Sequence, residues 1–341
     1  MNAVQETSFI FVIDGSSYKP MYEKMLADIM DMENVTVITD VPNTTRIKEL
    51  LKKRKICKLF WGKLDFLGYE ENVLYRTLEN VCPCSRQVVV VFANAALKHN
   101  SYLAGTLRRY KKRWPNVKYV AYYLDIVDTH VSFDANYLAR EGVFDLLYTV
   151  DREDARKYDM RHIYTCYSVD AAKTQIQPQI GIYFCGETKN RQGILSTVAE
   201  GCRVNQIPYK IDLICYEEVP ELEKYKPDVN LLPPGKFLPY DQVLENELSS
   251  RCMLEIAQKN QSALTLRAYE AVVYNRKLLS NNKSILSFPF YNSAYMRYFE
   301  TVEDIDWDWL KEDTKVDYGY NGEFSPTRLL KDISDRLENM Q

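Results

Sequence analysis

From Lys236 to Asn281 the chain reads KFLPYDQVLENELSSRCMLEIAQKNQSALTLRAYEAVVYNRKLLSN. A helix that starts near Ala263 to Thr265 turns its first backbone N–H groups and the positive end of its dipole outward, which makes a ready anion site. Thr265 adds a hydroxyl there, and Arg267 adds a planar guanidinium suited to phosphate oxygens. The spacing alone leaves another reading open, because Arg267 and Glu270 are three apart and could form an ordinary ion pair on a helix surface. Asp306-Trp307-Asp308 imitates a metal-binding Asp-x-Asp, but it sits between VEDI and LKED in what reads as a short acidic helix, so no metal site is expected of it. Cys82-Pro83-Cys84 has no second pair of ligands nearby to complete four.

These residues need a scaffold, and the hydrophobic pattern supplies one. Apolar runs without strict alternation recur at 8–14, 35–40, 58–62, 87–93, 117–125 and 144–151, separated by helix-length stretches. Such runs read as strands buried on both faces of a parallel sheet. Helices are expected over 18–32, 44–54, 71–80, 101–114 and 152–158, the last capped by Asp151. Around 171–178 the pattern fades into AAKTQIQP, and QIGIYFCG begins a second strand-helix series. The expectation is therefore α/β: two tandem Rossmann-like doubly wound domains, 1–172 and 173–341, the second carrying a final helix with Ser325 as N-cap and Pro326 at its first position. A length of 341 residues suits two cores of that size.

The layout of strand, Pro-Tyr, short helix, buried strand ending in Glu255-Ile256, polar loop, Thr-x-Arg-x-x-Glu-Ala helix and Lys-containing strand resembles the donor half of GT-B glycosyltransferases, and most closely the bacterial enzymes of cell-surface polysaccharide and lipopolysaccharide assembly. The resemblance implies an enzyme that moves a sugar from a nucleotide diphosphate sugar to a saccharide acceptor. It implies that Glu270 accepts hydrogen bonds from the ribose, that Tyr240 holds the base, and that the loop from Gly186 through Lys189 to Arg191 approaches the phosphates. Many retaining members carry a second glutamate eight positions before the ribose one; here that position is Ser262, so its role is not carried over. The departure keeps a second function open: a non-catalytic partner of the same fold that binds glycans or activates another transferase.

An acceptor hydroxyl needs a general base, and carboxylates at strand carboxyl ends are the candidates: Asp14, Asp125 and Asp128. The resemblance ranks Asp14 first, although aspartates after strands also serve as caps and turn formers. His99 and His130 read more simply as ordinary loop or helix residues. The runs LKKRKICK at 51–58 and RRYKKRW at 108–114 interleave positive charge with aromatic and apolar residues, a pattern suited to an anionic membrane surface or the pyrophosphate of a lipid-linked acceptor, with a solvated helix face as the alternative. The net charge of -3 argues against a nucleic-acid partner. No cofactor beyond the nucleotide sugar, no metal, and a cytoplasmic location with peripheral contact at the inner face of the cell membrane complete the expectations.

Overall fold

The computed structural model describes residues 7–14, 19–40, 73–93, 104–125, 127, 142–258 and 262–340. The chain divides into two compact units, one of Met1–Ser168 with Phe324–Gln341 and one of Val169–Glu323. The expected strand at 58–62, the helix at 44–54 and the basic run at 51–58 lie outside the described residues.

The first unit is built on six strands: β1 (Thr7–Asp14), β2 (Val35–Asp40), β3 (Gln87–Ala93), β4 (Val117–Tyr123), β5 (Leu146–Thr149) and β6 (Arg161–His162), all parallel, in the order β2-β1-β3-β4-β5-β6. Apolar runs become central strands because both faces are covered. Every residue from Val88 to Phe92 is fully buried, and Phe11 of β1 stands in register with Val37 and Val91. The described helices are α1 (Lys19–Met25), α2 (Ala27–Met30), α3 (Val73–Val81), α4 (Ala104–Arg113) and α5 (Arg152–Lys157). Asp151 caps α5 as expected, its carboxylate accepting from the N–H groups of Glu153 and Asp154.

The second unit repeats the plan with β7 (Ile180–Glu187), α6 (Gln192–Val204), β8 (Tyr209–Ile214), α7 (Pro220–Glu223), β9 (Val229–Leu232), α8 (Tyr240–Leu248), β10 (Ser250–Glu255), α9 (Leu266–Val273), β11 (Lys277–Ser280), β12 (Met296–Tyr298) and α10 (Trp307–Lys311). Its parallel sheet runs β12-β11-β10-β7-β8-β9. Asp306 caps α10 through the N–H of Trp309, and the Trp307 ring lies where a Cβ on Gly201 of α6 would fall within 2.2 Å of it. The Asp-Trp-Asp sequence thus starts a helix that packs on α6. Among the described residues no cluster of three His, Cys, Asp or Glu could hold a metal, and no helix is long and apolar enough to cross a membrane.

One boundary is corrected. The final helix, α11 (Pro326–Asn339), follows the second sheet in sequence but belongs to the first unit. Its apolar stripe, Leu329, Leu330, Ile333 and Leu337, is buried, and Ser325 just ahead of it hydrogen-bonds Asp28 of α2 at 2.7 Å. Asp332 accepts from Tyr148 of β5 at 2.7 Å and from Arg161 of β6 at 2.6 Å. An amphipathic stripe declares that a helix must pack but not on which sheet. Ile333→Ala should therefore cost about 2–4 kcal/mol, read as a lower urea midpoint for the unit that contains β1 to β6.

Candidate functional site

Strand order in the second sheet reverses between β7 and β10: β8 and β9 are laid down on one side of β7, β10 to β12 on the other. The connections after two neighbouring strands then leave in opposite directions and open a crevice beyond their carboxyl ends. A cavity of about 510 Å³ lies there. It is lined by Lys189, Arg191 and Ile194 after β7, by Gln258 and Ser262 after β10, and by Asn281 to Ser284 after β11. Among the described residues, no side chain lining it is a carboxylate.

The connection from β7 to α6 is a tight reversal. Lys189 and Asn190 both adopt positive φ (32° and 64°), and the Arg191 N–H bonds the Thr188 carbonyl at 2.7 Å, the pattern of a type I′ turn. It folds Arg191 back over β7. The guanidinium carbon lies 6.0 Å from the Phe184 ring centre, Nη1 donates to the Glu187 carbonyl at 3.1 Å, and Gly186 leaves the space, since a Cβ there would come within 3.0 Å of that ring and 3.5 Å of Nη1. Arg191 is only 8% exposed and forms no ion pair among the described residues, while its Nε–H finds no acceptor. Burial, then repulsion from Arg267, pulls its pKa down to about 10, and the more distant Glu187 and Glu255 only partly offset this. A dry, unmatched cation of this kind is stabilised by an incoming anion. Lys189 is half exposed and paired with Glu187, whose other oxygen accepts from Tyr216 at 3.1 Å. No side chain caps α6, so its first N–H groups open beside the cavity.

The second cluster departs from the arrangement expected of TLRAYEA. Thr265 is the N-cap of α9, yet its N–H is taken by Glu255, a fully buried residue at the end of β10, at 2.8 Å; the other Glu255 oxygen accepts from Ser280 of β11 at 2.5 Å. That helix end thus already faces an internal carboxyl group, and the Thr265 hydroxyl is buried without a partner. Arg267 pairs with Glu247 of α8 at 2.8 Å and with the Cys185 carbonyl of β7 at 2.7 Å, rather than with Glu270 on a surface. Its carbon lies 5.4 Å from the Phe184 ring centre, on the ring that also carries Arg191. Glu270 is 2% exposed and accepts from the Tyr240 hydroxyl at 2.5 Å.

Lys189 and Arg191 therefore line the cavity, Gly186 lies against the Arg191 guanidinium without lining it, and Tyr240, Arg267 and Glu270 gather beside the end of β7, also outside the lining. Glu247, Phe184 and Asn282, which ties the Ala263 carbonyl to the start of the 283–287 turn, escaped the sequence reading, and Glu255 was named there only as the end of a buried strand, with no role. Glu255 left the clearest trace, a carboxyl group ending an apolar strand. Of the acceptor-half candidates, Asp14 ends β1 with its side chain outside the described structure, Asp125 is exposed beyond β4, and Asp128, His99 and His130 lie outside the described residues.

The sequence matches no protein-family model and no curated protein. Solved structures are similar across the whole chain. HepE of Anabaena, in complex with UDP and glucose, has a TM-score of 0.58 at 9% identity, covering 97% of this chain and 99% of that one. A glycosyltransferase from Rickettsia africae has 0.52 at 10%, covering 98% of each chain. An alpha-glucosyltransferase in complex with UDP-glucose and DNA containing an abasic site has 0.52 at 12%, covering 96% and 92%. At such identities the shared property is the fold, the two-sheet α/β architecture of these glycosyltransferases, as the sequence led us to expect.

The buried Glu255 carboxyl group gives a direct check of the scaffold. Glu255→Ala strands the Thr265 N–H and the Ser280 hydroxyl, so it should destabilise the second unit by at least about 2 kcal/mol in urea unfolding, with Glu255→Gln milder because one acceptor survives.

Proposed function

We propose that the cavity binds the diphosphate of a nucleotide sugar and that the protein transfers the sugar to a saccharide acceptor. The observation that carries this is Arg191: a nearly fully buried guanidinium with no ionic partner among the described residues and an unused Nε–H, on a turn beside an uncapped helix start at the strand-order reversal. As the glycosidic bond to phosphate breaks, negative charge grows on the departing diphosphate. Arg191, Lys189 and the N–H groups of α6 are fixed in place to meet it. The lining holds cations, amides and hydroxyls, so fixed positive charge takes the part that a divalent ion plays elsewhere, and turnover should persist in EDTA. Arg267 adds positive potential from behind the Phe184 ring, Glu270 receives the ribose, and Tyr240 lies against the base.

Two neighbours of the same fold hold UDP or UDP-glucose, which makes UDP the first nucleotide to test. For the acceptor, a lipid-linked saccharide in surface polysaccharide or lipopolysaccharide assembly agrees with helix α4, which exposes Arg108, Arg109, Lys112 and Arg113 to anionic headgroups at the inner membrane face. Asp14, Asp125 and Asp128 are the proposed sources of a base.

Calorimetric titration with UDP, GDP, ADP and CDP tests the donor site. One of them should bind, Arg191→Ala should weaken it about 10- to 100-fold, and Lys189→Ala, already paired with Glu187 and half exposed, should weaken it less and in a salt-dependent way. Failure of all four to bind the wild type rejects the donor site. Donor hydrolysis or transfer that survives EDTA supports the metal-free proposal, and abolition by EDTA with recovery on added metal rejects it.

A further inference from the structure

Glu247 and Glu270 are 1% and 2% exposed and lie against each other between α8 and α9. Arg267 is hydrogen-bonded to Glu247 of this pair, its Nε binding Glu247 Oε1 at 2.8 Å while Nη2 is spent on the Cys185 carbonyl at 2.7 Å. Glu247 Oε2 is buried and finds no donor among the described residues. The Tyr240 hydroxyl donates to Glu270 Oε1 at 2.5 Å. Two ionised carboxylates facing one guanidinium would leave a buried charge uncompensated.

We infer that the two glutamates share one proton, carried by Glu270 and donated to Glu247 Oε2, so that the side chain facing the donor's ribose is an uncharged acid whose other oxygen is held by Tyr240 until a diol hydroxyl replaces it. The first part stands on the buried pair alone; the second rests on the donor-site reading. The proton satisfies the orphan oxygen and brings Arg267, Glu247 and Glu270 to zero net charge. Placed on Glu247 instead, it would leave Arg267 against a neutral acid and Glu270 as a buried anion. The remaining groups facing the cluster agree. Burial pushes the Cys185 thiol up to about 11, so it stays neutral, and Arg191, 6.0 Å from the same Phe184 ring centre, is repelled by Arg267. Burial, followed by Glu247, raises Glu270 well above the usual carboxylate range, against the smaller opposite pulls of Tyr240 and Arg267. The arrangement has a use beside a diphosphate: a neutral acid recognises a diol without adding negative charge next to the phosphates.

Glutamine copies a protonated glutamate, since its amide donates to Glu247 and its carbonyl accepts from Tyr240. The full chain is compared as wild type, Glu270→Gln and Glu247→Gln by thermal unfolding without nucleotide, from about pH 5 to about pH 8. A raised carboxyl pKa contributes stability that is complete below the ordinary carboxylate value and lost as pH rises through the folded value. The amide has no such contribution to lose. Glu270→Gln should therefore melt within about 2 °C of wild type near pH 5 and gain on it as pH rises, while Glu247→Gln, which strips Arg267 of its counter-ion, should melt at least about 4 °C lower throughout. A tolerated Glu247→Gln beside a damaging Glu270→Gln overturns the placement of the proton; damage of equal size from both overturns the sharing. With UDP as probe, Tyr240→Phe should bind about threefold more tightly, because the diol no longer displaces a hydroxyl, and weaker binding overturns that step. If wild type binds no UDP, GDP, ADP or CDP, the donor reading and the Tyr240 step fall together, and the melting comparison still decides the proton.

Discussion

Two guanidinium groups stand over one phenylalanine ring, and among the described residues only one of them has an ion-pair partner. Phe184 lies inside β7, with Arg191 at 6.0 Å and Arg267 at 5.4 Å from its ring centre. Like charges so close in a dry site repel, and the protein meets that cost unevenly. Glu247 and a backbone carbonyl compensate Arg267, while Arg191 has one carbonyl and an unused N–H. Gly186 is required because any side chain there would push against the ring, and the positive-φ turn at Lys189 and Asn190 is what brings Arg191 back over it. Two positive-φ residues and a buried guanidinium without an ion pair among the described residues thus fall in the same short connection, at a cost in stability.

The rest of the second unit holds that connection still. Glu255 binds the start of α9 and the side chain of Ser280 in the neighbouring strand, and Asn282 fastens the turn after β11 to the Ala263 carbonyl. The loops that form the cavity wall are thus tied at their bases to β10 and β11. Neither helix start has a side-chain cap: ahead of α9 the Thr265 N–H meets the buried Glu255 carboxyl group, and ahead of α6 the Arg191 N–H meets the Thr188 carbonyl.

Strand-forming runs were readable because each is long, apolar and buried on both faces; 35–40 and 87–93 coincide with β2 and β3. The edge strands β6 and β12 were not, being too short to leave a pattern. Lys189 and Arg191 could be named from a family resemblance, but nothing in GETKNR says that Arg191 turns inward, since that depends on Gly186 and Phe184 together. Arg267 and Glu270 were visible at helical spacing, yet their true partner, Glu247, sits on another helix in a segment that reads as an ordinary polar surface. Which sheet receives α11 was equally hidden, since Tyr148 and Asp28 are distant in sequence.

Among the described residues, the side chains lining the second unit's cavity include lysine, arginine, amides and hydroxyls and no carboxylate. The nearest carboxyl groups are engaged: Glu255 binds two donors, Glu187 binds Lys189 and Tyr216, and Glu270 has Tyr240. The first sheet carries the matching feature, a reversal of strand order between β1 and β3, with Asp14 of β1 in register with Asp40 of β2.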